Sequence, residues 1–264
     1  MSKLLDMFSR VRRGQSGEGI GFLGRSKTVA KARAAALVVE FTDSDAGDVE
    51  AAIKAGADGV LFSWDGKDSA SLSTLKPAIE AAKTAKENIA TGLRITSGLG
   101  RLKHKDLEHL KEQGIHYVIL PLTAPARLLG MHIKDLDIVV SIPMREGELY
   151  PNFIRNLNAF ENVAAIHLDF GLTDEVGAMS IEDIMHYRAV REAVRAGALL
   201  NLAGKLDEAD AYTLLALGVQ GVILGGEQAG ATDEKQIKQV RELLEKIHQE
   251  EEKDDSTPNL PGKM

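Results

Sequence analysis

Eight short apolar runs, each followed by a helical pattern, leave this chain few folds to choose from. The runs fall at residues 36–41, 59–64, 91–96, 117–121, 138–143, 165–170, 198–202 and 221–224. Helical patterns occupy 46–55, 69–87, 105–113, 124–129, 151–160, 181–196, 207–217 and 233–250. Strands that are apolar along their whole length are buried on both faces, the condition of a parallel sheet covered by helices. Gly56 and Gly59, Gly114, and Gly218 and Gly221 stand at the returns from helix to strand, where glycine supplies a left-handed helix cap. Eight such units in 264 residues predict an α/β protein with one closed (β/α)8 barrel, the TIM-barrel architecture. The barrel is expected over 36–249, after an arm and glycine-rich loop at 1–35 and before a flexible acidic tail at 250–264.

The two ends differ in charge. Residues 1–33 hold eight Lys/Arg against two acids, while the chain as a whole carries −7. Leu4, Leu5, Phe8 and Val11 form one face of a short amphipathic helix ending in Arg10, Arg12 and Arg13. Such an arm docks on its own domain or on another subunit, so an oligomer or partner contact through it is one expectation. The loop 14–25 contains Gly19-x-Gly21-x-x-Gly24. No strand precedes that spacing and no clear βαβ unit follows, so it reads as a connection and not as a dinucleotide fingerprint. An acidic balance disfavours nucleic acid as a partner. The absence of cysteine excludes disulfides and thiolate metal sites. No run is long enough to span a bilayer and no secretory leader is visible, so a cytoplasmic location is expected.

Alternation along the strands sorts the polar residues. In the run AAIHLDF, Ile166, Leu168 and Phe170 belong on the helix side, which turns His167 and Asp169 into the lumen. The same reading points Glu40, Ser63, Asp65, Arg94, Thr96, Ser141 and Asn201 inward. Charged groups inside a barrel are expensive unless paired, and these lie toward the C-terminal strand ends, where barrel active sites form. His167, Asp169, Glu40 and Arg94 are therefore the candidate catalytic set. His167 would move a proton, with a nearby carboxylate raising its pKa, and Arg94 would hold a carboxylate, a phosphate or a flavin-ring oxygen. A metal held by Glu40, His167 and Asp169 is open to the same residues, but no spacing singles it out and none is expected. The remaining histidines, His116 among them, read as surface residues.

The segment 197–230 supplies the second half of the site. Two apolar strands each run into a glycine turn, Ala203-Gly204-Lys205 and Gly225-Gly226, with a helix between them. Glycine lets backbone N–H groups approach an anion, and a helix N-terminus favours negative charge. Counting places these as the seventh and eighth strands, whose loops form the usual phosphate pocket of such barrels. Gly204, Lys205, Gly225, Gly226 and Asn201 are the candidate ligand-binding residues.

Gly204, the acidic helix start at Asp207 and Asp210, Gly218, Gly221-Val222 and Gly225-Gly226 together resemble the phosphate-binding barrels. That broad group includes FMN-dependent oxidoreductases and sugar-phosphate enzymes of tryptophan and thiamine synthesis. The resemblance implies a phosphorylated small molecule as ligand, with FMN or a sugar phosphate as the named forms. Ala203 stands where the first glycine of the usual pair is found. No barrel strand carries a lysine, so Schiff-base chemistry and the lysine acid of indole-glycerol-phosphate closure lack their central group. Two functions remain open: a barrel holding a phosphorylated ligand with an unassigned reaction, and a barrel serving as an interaction or scaffold module.

Overall fold

The computed structural model describes residues 2–13, 31–42, 45–66, 69–144, 151–170, 176, 179–202, 206–225 and 234–256. Eight parallel strands close into a barrel in chain order: β1 (Ala36–Phe41), β2 (Gly59–Trp64), β3 (Ala90–Ile95), β4 (Tyr117–Pro121), β5 (Asp137–Pro143), β6 (Val163–Asp169), β7 (Gly197–Leu202) and β8 (Gly221–Gly225). The barrel is sealed by β8 against β1, with Ala36 opposite Gly221 and Glu40 opposite Gly225. This confirms the (β/α)8 expectation.

An amphipathic helix α1 (Lys3–Arg13) precedes the barrel, and the outer ring contains α2 (Ala46–Ala55), α3 (Ser69–Ala85), α4 (His104–Gln113), α5 (Pro151–Ile154), α6 (Ile181–Ala193), α7 (Glu208–Leu217) and α8 (Glu234–Ser256). Two helical expectations change. After β4 only a 3₁₀ turn forms, Ala126–Leu128, following Pro125, and the pattern at 151–160 splits into α5 and the 3₁₀ helix Arg155–Ala159. At the other end α8 continues to Ser256, into the stretch expected to begin the tail. The helix-to-strand glycines act as expected: Gly56, Gly114 and Gly218 hold φ of 120°, 102° and 63°.

Two apolar layers follow from the alternation. One lies between strands and helices and includes Leu37, Val39, Phe62, Leu93, Val118, Ile166 and Leu200. The other fills the lower lumen with Val38, Leu61, Tyr117, Ile119, Val139, Leu199 and Ile223, and it continues into α1 through Leu4, Met7, Phe8 and Val11. Spacing of three and four residues puts those four side chains on one helical stripe. All four are buried, so α1 plugs the N-terminal end of its own barrel.

Small residues at the strand starts make room for the plug. A Cβ on Gly59 would lie 3.0 Å from Met7 Sδ, and one on Gly197 3.0 Å from Phe8 Cε2. The helix is tied at both ends: Ser2 Oγ donates to Asp137 and accepts from the Leu5 N–H, while Arg10 Nη2 donates to Asn88 O at 2.8 Å. The arm therefore docks on its own domain.

Candidate functional site

Above the apolar layer the lumen turns polar, and the inward residues read from the sequence meet there. Glu40 on β1 and Arg94 on β3 form a two-pronged ion pair, Nε to Oε1 at 2.6 Å and Nη2 to Oε2 at 3.1 Å. Ser63 on β2 donates to Glu40 Oε1 at 3.2 Å. Arg94 Nη2 also reaches Asn201 Oδ1 on β7 at 3.4 Å, and His167 Nε2 on β6 lies 3.0 Å from the same oxygen. Ser141 Oγ on β5 stands 2.8 Å from His167 Nδ1. One connected network thus draws on six of the eight strands.

The shared oxygen of Asn201 fixes the histidine tautomer. An amide oxygen that accepts from Arg94 must also accept from the ring, so Nε2 carries the proton and Nδ1 accepts from the Ser141 hydroxyl. Both ring nitrogens are then occupied, and Asp169, half-buried two residues further along β6, acts on the ring through its charge.

The direction expected for the His167 pKa is corrected here: it is lowered and not raised. Burial, aided by Arg94, lowers its pKa to about 4 against the opposing pull of Asp169 and the Asn201 hydrogen bond. The ring is fully buried, and the desolvation it suffers outweighs the neighbouring carboxylate. Neutral imidazole at pH 7 holds the Ser141 hydroxyl and the Asn201 amide in place. The same neutrality makes Ser141 a hydroxyl held in place, with only a weak base beside it.

His116 is a second correction, because it is half-buried and not a surface residue. Its Nδ1 accepts the Thr91 N–H at 3.1 Å, and burial, aided by Lys3 and Lys83, lowers its pKa to about 4. These depressed values have a sign. The unfolded chain protonates its histidines near pH 6.5, whereas folded His167 and His116 resist until about pH 4. Their contribution is fully present above pH 6.5 and is lost as pH falls toward 4, with a slope of up to about 1.4 kcal/mol per pH unit for each. Urea unfolding of the whole chain should therefore show stability dropping between pH 7 and pH 5. His116→Gln should flatten that slope by about half, and a wild-type stability that stays level over this range would refute the burial argument.

Alternation failed to mark Tyr117 as a lumen residue, because its strand is apolar throughout. Its ring is fully buried, its hydroxyl has no hydrogen-bond partner, and burial raises its pKa. Gly92 on the neighbouring strand is required by it: a Cβ there would fall 2.2 Å from Tyr117 Cζ. Thr96, expected to point inward, donates to Trp64 O at 3.3 Å. Among the described residues no group of three or more His, Asp or Glu side chains is placed to hold a metal ion.

At the β7–β8 end the structure places Asn201 in the network and ends β8 on Gly225, whose φ of 110° disfavours any side chain. Gly204, Lys205 and Gly226 lie outside the described residues.

No family model and no curated protein matches the sequence. Solved structures do. Tryptophan synthase from M. tuberculosis in an open form is 16% identical, with a TM-score of 0.62 over 94% of this chain and 98% of that one. Its ligand-free form is 15% identical, with a TM-score of 0.61 over 81% and 94%. A mutant tryptophan synthase alpha-subunit from the hyperthermophile Pyrococcus furiosus is 13% identical, with a TM-score of 0.60 over 81% and 99%. At such identities the likeness establishes the (β/α)8 fold. No described helix is long and apolar enough to cross a membrane.

Proposed function

We propose that this barrel binds a phosphorylated small molecule at its C-terminal face. The phosphate sits between the ends of β7 and β8, and the remainder of the ligand lies over Arg94, Asn201 and Asp169. The observation that carries this reading is the state of Arg94. Glu40 holds its guanidinium by two nitrogens, and its side chain is 19% exposed at the polar end of the lumen. A partly exposed cation fixed in position is a preorganised anion contact. Gly225 beside Asn201, in a backbone conformation that excludes side chains, allows close approach of an anion to the chain.

Of the two named ligand forms a sugar phosphate is preferred. FMN keeps only the support of the β7–β8 resemblance, since the similar solved structures are tryptophan synthases. The neutral, buried His167 favours a role in orientation, and no reaction is assigned.

Thermal unfolding with and without ribose 5-phosphate, FMN and inorganic phosphate tests the reading. A ligand at a hundredfold excess over its Kd adds about 2.7 kcal/mol, a midpoint rise of roughly 5–10 °C for a domain of this size. Gly225→Val should abolish that rise while lowering the unliganded midpoint through backbone strain. If none of the three compounds moves the wild-type midpoint, the barrel is left as an interaction module. A rise from ribose 5-phosphate that survives Gly225→Val would place the ligand elsewhere.

A further inference from the structure

The opposite end of the barrel holds a second concentration of charge that the site above does not use. A cavity of about 280 Å³ opens at the N-terminal strand ends, between α1, the end of α2, the start of β2 and α8. Six cationic side chains line it, Arg10, Lys31, Arg33, Lys54, Lys86 and Arg241, against a single acid, Asp58. The whole chain is acidic, so this concentration runs against its general character.

The pairing of these cations is incomplete. Lys54 and Arg241 meet Glu50 and Glu245 at 2.6 and 3.1 Å. Asp58 is shared: Arg33 Nη2 lies 2.6 Å from Oδ1 and Lys86 Nζ 3.9 Å from the same oxygen, while Oδ2 accepts the Leu37 N–H. Among the described residues Arg10 donates to the backbone oxygens of Asp6 and Asn88.

Arg33 is the decisive residue. It is 4% exposed, yet its Nε and Nη1 have no hydrogen-bond partner. Buried donors on a charged group are rarely left in this state, because each unmade bond is costly. Lys86 shows the same imbalance: burial, together with Arg10, Arg33 and Arg241, holds its pKa below the usual value against the pull of Asp58. Arg241 lies so closely over Gly56 that a Cβ there would fall 2.5 Å from Nη1, so the wall is packed into position.

We propose that this cavity is a binding site for a small pyrophosphate-bearing molecule, held by Arg33 at its floor and by Arg10 and Lys86 at its sides. Two linked phosphates supply the several acceptors that three cations around a single carboxylate need, and planar guanidinium groups suit phosphate oxygens. The recess accommodates such a group. A free solute fits better than a membrane headgroup, because α1 buries Leu4, Met7, Phe8 and Val11 in the barrel and keeps Leu5 alone as an exposed large apolar side chain.

Calorimetric titration of the full chain with inorganic pyrophosphate at low ionic strength tests this. Binding should be detectable and should weaken as salt is raised. Lys86→Gln and Arg10→Gln should each weaken it tenfold or more without loss of fold by circular dichroism. These two are chosen because Arg33→Gln would strand Asp58 and threaten folding. Gly225→Val, at the far end of the barrel, should leave the pyrophosphate affinity within about twofold, which keeps this site separable from the one at the C-terminal face. Any of four results overturns the proposal: no binding at millimolar pyrophosphate, an affinity unchanged in both glutamine variants, loss in Gly225→Val alone, or binding to phosphatidylglycerol vesicles without binding to free pyrophosphate.

Discussion

Arg94→Met should destabilise the protein by about 3–5 kcal/mol, the usual result of removing one partner of a buried ion pair. Glu40 is 8% exposed and sits in the lumen, with Ser63 as its remaining side-chain donor among the described residues once Arg94 is gone. The second arm of the experiment gives it force. Replacing both members, Glu40→Leu with Arg94→Met, removes the charge together with its counter-charge, and most of the loss should return. A double-mutant cycle by urea unfolding should then report a coupling of at least about 2 kcal/mol. If Arg94→Met loses less than about 1 kcal/mol and the two changes add, the pair is not a buried unit and the central geometry of the site is wrong. Asn201 retains His167 as a partner in both variants, which limits the disturbance to the pair.

Removing α1 should be more damaging still. A chain beginning at Lys31 keeps Arg33 and every strand but loses the burial of Leu4, Met7, Phe8 and Val11. At about 1.5–3 kcal/mol for each large apolar side chain, the sum reaches the whole stability of an ordinary domain. The shortened chain is expected to lose its cooperative thermal transition and to self-associate through the opened lumen. Phe8→Ala alone should lower stability by about 3–5 kcal/mol. A shortened chain melting within a few degrees of the full one, still monomeric by light scattering, would show that the helix merely rests on the barrel.

The fold was legible because buried parallel strands announce themselves. The runs at 36–41, 59–64 and 117–121 coincide with β1, β2 and β4, and the other five strands differ by two residues or fewer at either end. The weak point was helix length after β4 and β5, where Pro125 and Pro151 punctuate short segments whose periodicity cannot separate an α-helix from 3₁₀ turns. Within the site, alternation brought Glu40, Arg94, His167 and Asn201 together correctly, since inward polarity on a two-residue period is written in the chain.

The direction of the His167 pKa was not legible. It depends on how deeply the ring is buried and on a guanidinium from a strand far away in sequence, and neither has a local signature. Tyr117 was hidden for the opposite reason, being an aromatic among apolar neighbours. The charge of the first residues was visible, but its concentration around one cavity with Asp58 depends on α1 folding back beneath β1 to β3. Gly204, Lys205 and Gly226 fall outside the described residues, so their part in the phosphate pocket remains a proposal.

The seam between β1 and β8 carries a consequence for how the protein is made. Ala36 has Gly221 as its partner across that seam, so the first strand cannot complete its hydrogen bonding until the last has been synthesised. At 5–20 residues per second, the ribosome leaves β1 with one open edge for about 10–40 s. An unpaired apolar strand invites pairing with another nascent chain, and a charge within it is one of the features that discourage this. Glu40 is the charge in β1. Before Arg94 has a finished barrel in which to meet it, that charge is expected to discourage such pairing.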